Sequence, residues 1–279
     1  MTAFGSAMPP FTQLADDVRR LVAPNPSMMT GPGTNTYLFG AADCAVLDPG
    51  PAISAHVDNI IAQGAGAIRW ILVTHTHPDH SPAAALLARE IDAEVLGMAA
   101  PNGEHQDKTF VPDRQLVDGD VLETREFCLH AIHTPGHASN HLCYRHAAMD
   151  WIFTGDHVIA GSTVVIDPPD GDMQHYIESL QRLRELRCAA LAPGHGDVIN
   201  DPDRVIDWII EHRLQREAKI VAAVAAHPNH TPRDLVPHVY KDVDPKLYGW
   251  AERSLLAHLL KLEADARAVQ KNGRWHVQA

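Results

Sequence analysis

Residues 75–80, His75-Thr-His77-Pro-Asp79-His80, put three imidazoles and a carboxylate into six positions. Histidine is only intermediately buried in proteins and aspartate almost never buried unpaired, so sinking this set into a core calls for a compensating charge. A divalent cation supplies one, and imidazole nitrogens with a carboxylate favour zinc, then iron or other first-row metals, over magnesium or calcium. The preceding run, Trp70-Ile-Leu-Val73, is apolar and β-branched and reads as a buried strand. If that strand stops near Thr74, alternation through an extended loop points His75 and His77 the same way. Pro78 then turns the chain, so Asp79 and His80 face a second position beside the first. Ser81-Pro82 reads as a helix start, with Ser as cap and Pro in the first turn. The plainer alternative is a histidine-rich surface loop in a chain with 19 His.

Distant partners weigh against that alternative. His133-Thr-Pro-Gly-His137, Thr154-Gly-Asp156 and Pro193-Gly-His195-Gly each follow an apolar run, and in each a glycine precedes one ligand-type side chain. Glycine permits the tight turn that lets such a residue project into a site. Three such strand tips, added to the first motif, are hard to explain as accident.

The elements that must position these residues alternate along the chain. Strand-like runs fall at Val18 to Val22, Thr36 to Phe39, Ala45 to Leu47, Glu94 to Leu96, Arg125 to Ile132, His141 to Tyr144, Trp151 to Phe153 and Ala189 to Leu191. Helical spacing covers Ile53 to Gln63, stopped by Gly64 and Gly66, then Pro82 to Ile91 and Gln174 to Leu186. Residues 99–114 read as loop. This mixture suits packed sheets with flanking helices. Residues 202–279 differ: a helix over Asp203 to Ala226, a short one capped by Thr231-Pro232, and a third with an apolar stripe at Leu247, Ala251, Leu255, Leu259 and Leu262. Two short strands around Asn272-Gly273 make a hairpin signal. The outline is winged-helix-like, with domains at 1–200 and 201–279. His227, His230 and His238 read as surface residues of this tail.

Length and composition bound the rest. The 279 residues, 45% hydrophobic and 21% charged, suit one large domain with an appendage. No apolar run approaches the roughly 20 residues of a membrane span, and Met1 to Arg20 lacks the basic and apolar regions of a signal peptide. Cys44, Cys128, Cys143 and Cys188 are scattered and read as reduced core residues, so the expectation is a cytoplasmic protein. Residues 1–200 carry 24 acidic against 11 basic side chains, and residues 201–279 carry 11 against 12. That balance opposes nonspecific nucleic-acid binding over the whole surface.

The motif set resembles the metallo-β-lactamase-fold hydrolase superfamily, whose H-x-H-x-D-H signature stands here as residues 75–80. The resemblance covers about residues 14–200. It implies a four-layer αββα sandwich with metals at one rim: His75, His77 and His137 on the first ion, Asp79, His80 and His195 on the second, Asp156 bridging. The implied enzyme is a metal-dependent hydrolase with two zinc ions, iron or manganese being the alternatives, and a metal-bridging hydroxide as nucleophile; Asp79 takes a second role as acceptor of the water's proton. True zinc β-lactamases are usually secreted and lack the bridging Asp, so antibiotic hydrolysis is not expected. Gly31-Pro-Gly-Thr-Asn-Thr-Tyr37, Thr134-Pro-Gly-His-Ala-Ser-Asn-His141 and the tail are similar to the β-lactamase-like protein 2 group, which includes a single-strand-selective endoribonuclease. Chains sharing the Gly-Thr-Asn-Thr-Tyr stretch include thioesterases of carrier-bound polyketides. The implied substrate is therefore a small or carrier-bound acyl ester or thioester, or single-stranded RNA. A mononuclear iron oxygenase of the persulfide dioxygenase kind is the alternative enzyme, and a winged-helix regulator with a vestigial metal domain a third reading.

Around this site Asp48 is either an orienter of a ligand histidine or a turn-capping Asp, and Asn140 and His141 either contact substrate or start a strand. The tail either reads nucleic acid through Lys246, Arg253, Lys261, Lys271 and Arg274, or packs and supports a homodimer. Glu252, Glu263 and Asp265 interrupt its basic face and favour packing.

Overall fold

The computed structural model describes residues 11–278; the signal-peptide expectation falls, for residues 1–10, outside them. Contacts divide the chain into two compact units. Of the described residues, one holds 11–133, Asn140–Gly161 and Cys188–Asn200; the other holds Thr134–Ser139, Ser162–Arg187 and 201–278.

The first unit contains two sheets. Seven strands, β1 (Thr12–Ala15), β2 (Val18–Val22), β3 (Asn35–Phe39), β4 (Cys44–Leu47), β5 (Ile68–Leu72), β6 (Glu94–Gly97) and β7 (Arg114–Gln115), lie in sequence order, antiparallel up to β4 and parallel from there. The parallel crossovers are α1 (Ser54–Gly64) and α2 (Pro82–Glu90). The second sheet runs β12 (Ala190–Pro193), β11 (Trp151–Gly155), β10 (Leu142–His146), β9 (Cys128–His133), β8 (Val121–Glu123).

Strand alternation explains why the apolar runs look continuous in sequence. Tyr37, Phe39, Ala45, Leu47 and Leu72 point into a core shared with Leu129, Tyr144 and Phe153 of the second sheet. Their neighbours Leu38, Val46, Ile71 and Val73 point the other way, onto Val57, Ile60, Ala84 and Leu87 of the two helices. The central strands are buried on both faces, so polar alternation is lost. Tyr37 and Phe39 both meet the Phe153 ring edge-on, at centroid distances of 4.8 and 4.7 Å.

Two local expectations need correction. Ser81 precedes α2, with Pro82 in the first turn, but its side chain does not cap the helix. Its hydroxyl instead donates to Asp107 Oδ2 at 2.7 Å, tying the 99–113 loop to the helix start. The strand drawn from Arg125 begins only at Cys128. Thr124 Oγ1 accepts from the amides of Glu126 and Phe127, which makes a turn there. The Glu126 carboxylate accepts from the amides of Ala41, Ala42 and Asp43.

In the second unit α3 (Met173–Leu186) packs on α4 (Pro202–Ala226) and α6 (Tyr248–Ala264). Between α4 and α6 lie α5 (Pro232–Val239) and a 3-10 turn at Pro245–Leu247. Thr231 and Asp234 form a reciprocal capping box at the start of α5. The hairpin β13 (Ala268–Lys271) and β14 (Arg274–Val277) turns at Asn272 and Gly273, both with positive φ, as a type I′ turn demands. Trp275 is fully buried among Ile220, Val224, Leu235, Leu255 and Leu262. No helix among the described residues is long and apolar enough to cross a membrane.

Candidate metal centre

The strand β5 ends at Leu72, and Thr74, His75, His77, Asp79 and His80 follow on a loop that α2 closes. Three strand ends of the first unit contribute: β4 carries Asp48, β11 carries Asp156 and β12 carries His195. Gly155, just before Asp156, adopts φ +46, and a Cβ there would lie 2.6 Å from Thr74 Oγ1. Gly194, just before His195, needs no special φ but has no room: a Cβ would meet His80 Cε1 at 2.7 Å and Asp156 Oδ1 at 2.8 Å. The strand-tip glycines thus serve both turning and close approach.

Asp79, His80, Asp156 and His195 converge, with one ligand atom of each lying within 4.8 Å of the others. His80 Nε2 is 3.3 Å from Asp156 Oδ1 and 3.6 Å from Asp79 Oδ2. His195 Nε2 is 3.2 Å from Asp79 Oδ2 and 3.3 Å from Asp156 Oδ1. Beside them His75 Nε2 and His77 Nδ1 are 3.0 Å apart.

The outer hydrogen bonds decide which nitrogen each ring presents. Asp48 Oδ2 accepts from His80 Nδ1 at 2.9 Å and from Thr74 Oγ1 at 2.8 Å. With its proton given to Asp48, Thr74 Oγ1 accepts from His75 Nδ1 at 3.0 Å. His195 Nδ1 donates to the Gly33 carbonyl at 3.2 Å. In its neutral form each of the three rings would therefore turn an Nε2 lone pair inward, the arrangement typical of ligating histidines. A lone pair facing two carboxylates repels them unless a cation lies between. His80 Nε2, fully buried, has no hydrogen-bond partner. The residues fit a divalent ion.

Electrostatics points the same way. Burial alone would lower the His80 pKa, but the carboxylates of Asp156, Asp79 and Asp48 raise it well above its usual value. His195, likewise opposed by burial, is pushed up to about 10 by Asp156 and Asp79. Burial raises Asp156 and Asp79, yet the neighbouring imidazoles win and hold both below the ordinary carboxylate range. This pocket attracts positive charge strongly enough to overcome desolvation.

His137 lies on the 134–139 segment, which belongs to the second unit. Its Nδ1 donates to the Val165 carbonyl at 2.9 Å, so this ring too presents Nε2. Asp48 proves to be an orienter of His80, and its Oδ1 accepts the amide of Thr74, remote in sequence, at 2.7 Å. Asn140 packs the strand start, donating to Thr76 Oγ1 at 2.9 Å and the Ala99 carbonyl at 3.2 Å. His141 is buried against the His75 ring, 5.0 Å between centroids. Sequence reasoning missed Thr74, which reads as one more β-branched strand residue, and the Gly33 carbonyl, for which no side-chain signal exists.

Residues 29–195 match the Metallo-beta-lactamase superfamily and residues 231–275 match the Beta-lactamase associated winged helix domain. The chain is 32% identical to a Beta-lactamase-like protein 2 homolog of Drosophila melanogaster, covering 93% of this chain and 92% of that one. It is 31% identical to an atrochrysone carboxyl ACP thioesterase of Aspergillus fumigatus, covering 78% and 68%. The crystal structure of a metallo-beta-lactamase family protein from Thermus thermophilus superposes with a TM-score of 0.79 at 20% identity, over 95% of this chain and all of that one. With its two facing sheets, winged-helix tail and imidazole–carboxylate cluster, this chain belongs to the metallo-β-lactamase superfamily and is one of its hydrolases.

Proposed function

We propose that the chain is a dinuclear zinc hydrolase acting on a small or carrier-bound acyl thioester or ester. The observation that carries this reading is the set of rings locked by outer hydrogen bonds to turn Nε2 toward Asp79 and Asp156. On this reading His75, His77 and His137 would hold one ion and Asp79, His80 and His195 the other, with Asp156 shared. A pair of such ions supplies, when bound, a water of lowered pKa and a polarised substrate oxygen. The chain's own residues do the remainder. Asp48 and Thr74 keep His75 and His80 in the ligating tautomer. The Gly33 carbonyl does so for His195. The Asp79 side chain is 28% exposed, against 13% for Asp156, so of the two carboxylates Asp79 is the more accessible and would be the one to accept a proton released at the site.

Two observations favour an acyl substrate over RNA. A thioesterase stands among the relatives at 31% identity. Three of the five basic side chains of the tail are engaged within the second unit: Arg253 pairs with Asp167, Lys261 with Asp265 and Glu217, and Arg274 donates to the Asn229 carbonyl.

The test is a hydrolysis panel of thioesters, lactones, bis-p-nitrophenyl phosphate and single-stranded RNA, with and without chelator, on wild type and His77→Ala. The variant is expected to stay folded, lose metal and lose chelator-sensitive turnover by at least a hundredfold. Full activity in His77→Ala refutes the site, and one iron per chain in place of two zincs transfers support to the oxygenase reading.

A further inference from the structure

His137 is held in place by the second unit, to which its segment Thr134–Ser139 belongs. The Pro135 carbonyl accepts from Ser179 Oγ of α3 at 2.8 Å, and the Gly136 carbonyl from the Asp172 amide at 2.8 Å. A Cβ on Gly136 would lie 2.3 Å from Tyr176 Cα, so the chain is pressed against the start of α3. The Ser139 hydroxyl donates to Asp170. Within this segment the His137 ring is fixed by its own bond, from Nδ1 to the Val165 carbonyl.

Val165 is in turn held from both sides by the long helices of the tail. The Val164 carbonyl accepts from Arg213 Nη2 of α4 at 2.5 Å. The Ile166 amide donates to Ser254 Oγ of α6 at 3.4 Å, and Asp167 pairs with Arg253 of the same helix. Arg213 is the most telling of these residues. It is 4% exposed, its guanidinium carbon lies 5.2 Å from the centroid of the Tyr176 ring, and among the described residues no carboxylate pairs with it. Burying a guanidinium without a carboxylate costs more than filling the same space with an apolar side chain. Packing therefore does not account for an arginine at this position, whereas the Val164 carbonyl does.

We propose that Arg213 is a positioning residue for His137. From α4 it fixes the 164–167 segment, whose Val165 carbonyl sets the tautomer and the direction of the His137 ring. Arg253 and Ser254 brace the same segment from α6. The inference rests on the dinuclear reading above: the tail serves the ion given to His75, His77 and His137. The other ion depends on the partners of His80 and His195, which are Asp48 and the Gly33 carbonyl.

The test uses full-length protein, metal-stripped, reloaded with Zn2+ and titrated with a competing chelator, with bound zinc counted per chain. Arg213→Met is expected to weaken one ion by about 10-fold, the low end of what losing a ligand's outer partner costs, and to leave the other unchanged. Arg213→Lys keeps a donor and is expected to recover most of that affinity. Arg216→Met is the control for a merely structural role. It removes another buried arginine of α4, whose bonds go to the Val239 carbonyl and Asp242, and is expected to lower the melting temperature with both ions kept. Should Arg213→Met fail to fold, Arg253→Gln, at a more exposed position, carries the test, with a smaller loss at the same ion. Full affinity for both ions in every folded variant of Arg213 and Arg253, or an equal loss in Arg216→Met, overturns the proposal. His137→Ala separates the two levels of the argument. If it loses the ion and Arg213→Met does not, the positioning role alone falls; if it keeps both ions, the dinuclear assignment falls and takes the proposal with it.

Discussion

Asp48 sits at φ +50, a left-handed conformation that Asp tolerates better than most residues. From there one buried carboxylate reaches the Thr74 amide, the Thr74 hydroxyl and the His80 ring. Removing it leaves two histidines without their orienting partner, and loss of such partners typically costs 10–100-fold in metal affinity. Asp48→Ala is expected to show that loss in a chelator competition, with Asp48→Asn between it and wild type. His56 makes a different prediction. Its Nε2 donates to Thr36 Oγ1, whose own proton goes to the Asp48 carbonyl, and burial lowers its pKa to about 4. Between about 6.5 and about 4 the unfolded chain binds a proton that the folded chain refuses. Stability contributed by neutral His56, up to roughly 3 kcal/mol, is full above pH 6.5 and is lost as pH falls toward 4. His258, also pushed down by burial, adds in the same direction. Melting temperatures from pH 7 to pH 4 should fall less steeply for His56→Phe than for wild type; equal slopes would remove His56 from the account.

At the scale of elements, the capping box of α5 is worth a direct measurement. Thr231→Ala removes the acceptor for the Asp234 amide and is expected to cost about 1 kcal/mol, read from urea denaturation of the full chain. That cap was legible because Thr-Pro before an apolar-periodic run has a local cause. So was the Asn272-Gly273 hairpin, whose positive φ values only a few residue types adopt. The Ser81 cap was misread because the hydroxyl's partner, Asp107, is remote in sequence. Strands β1, β7 and β8 left no clear trace: they are two to four residues long and partly exposed, so neighbouring strands and not their own composition make them strands. For the site, the ligand-type residues could be read from sequence because their chemistry is unusual in a core. Their outer partners could not, because a threonine hydroxyl and a glycine carbonyl are ordinary until the fold delivers them.

Over the whole molecule the charge is −12, and 24 of the 35 acidic residues lie within residues 1–200. Phosphate affinity rests on Lys and Arg contacts that release counterions. Single-stranded RNA is therefore expected to bind weakly at physiological salt, with an anisotropy titration giving a shallow salt slope; tight binding with a steep slope would return RNA to the front of the substrate list. The two units each have a core of their own, and they complete those cores at different points of the chain. Residues up to Ala192 suffice for the inter-sheet core. The other depends on Trp275, fully enclosed on the last strand of the hairpin. During synthesis on the ribosome the sandwich can settle while the helices of the tail still expose Leu235, Leu255 and Leu259. A premature stop ahead of codon 275 would thus yield a product with a finished sandwich and a sticky, protease-sensitive appendage.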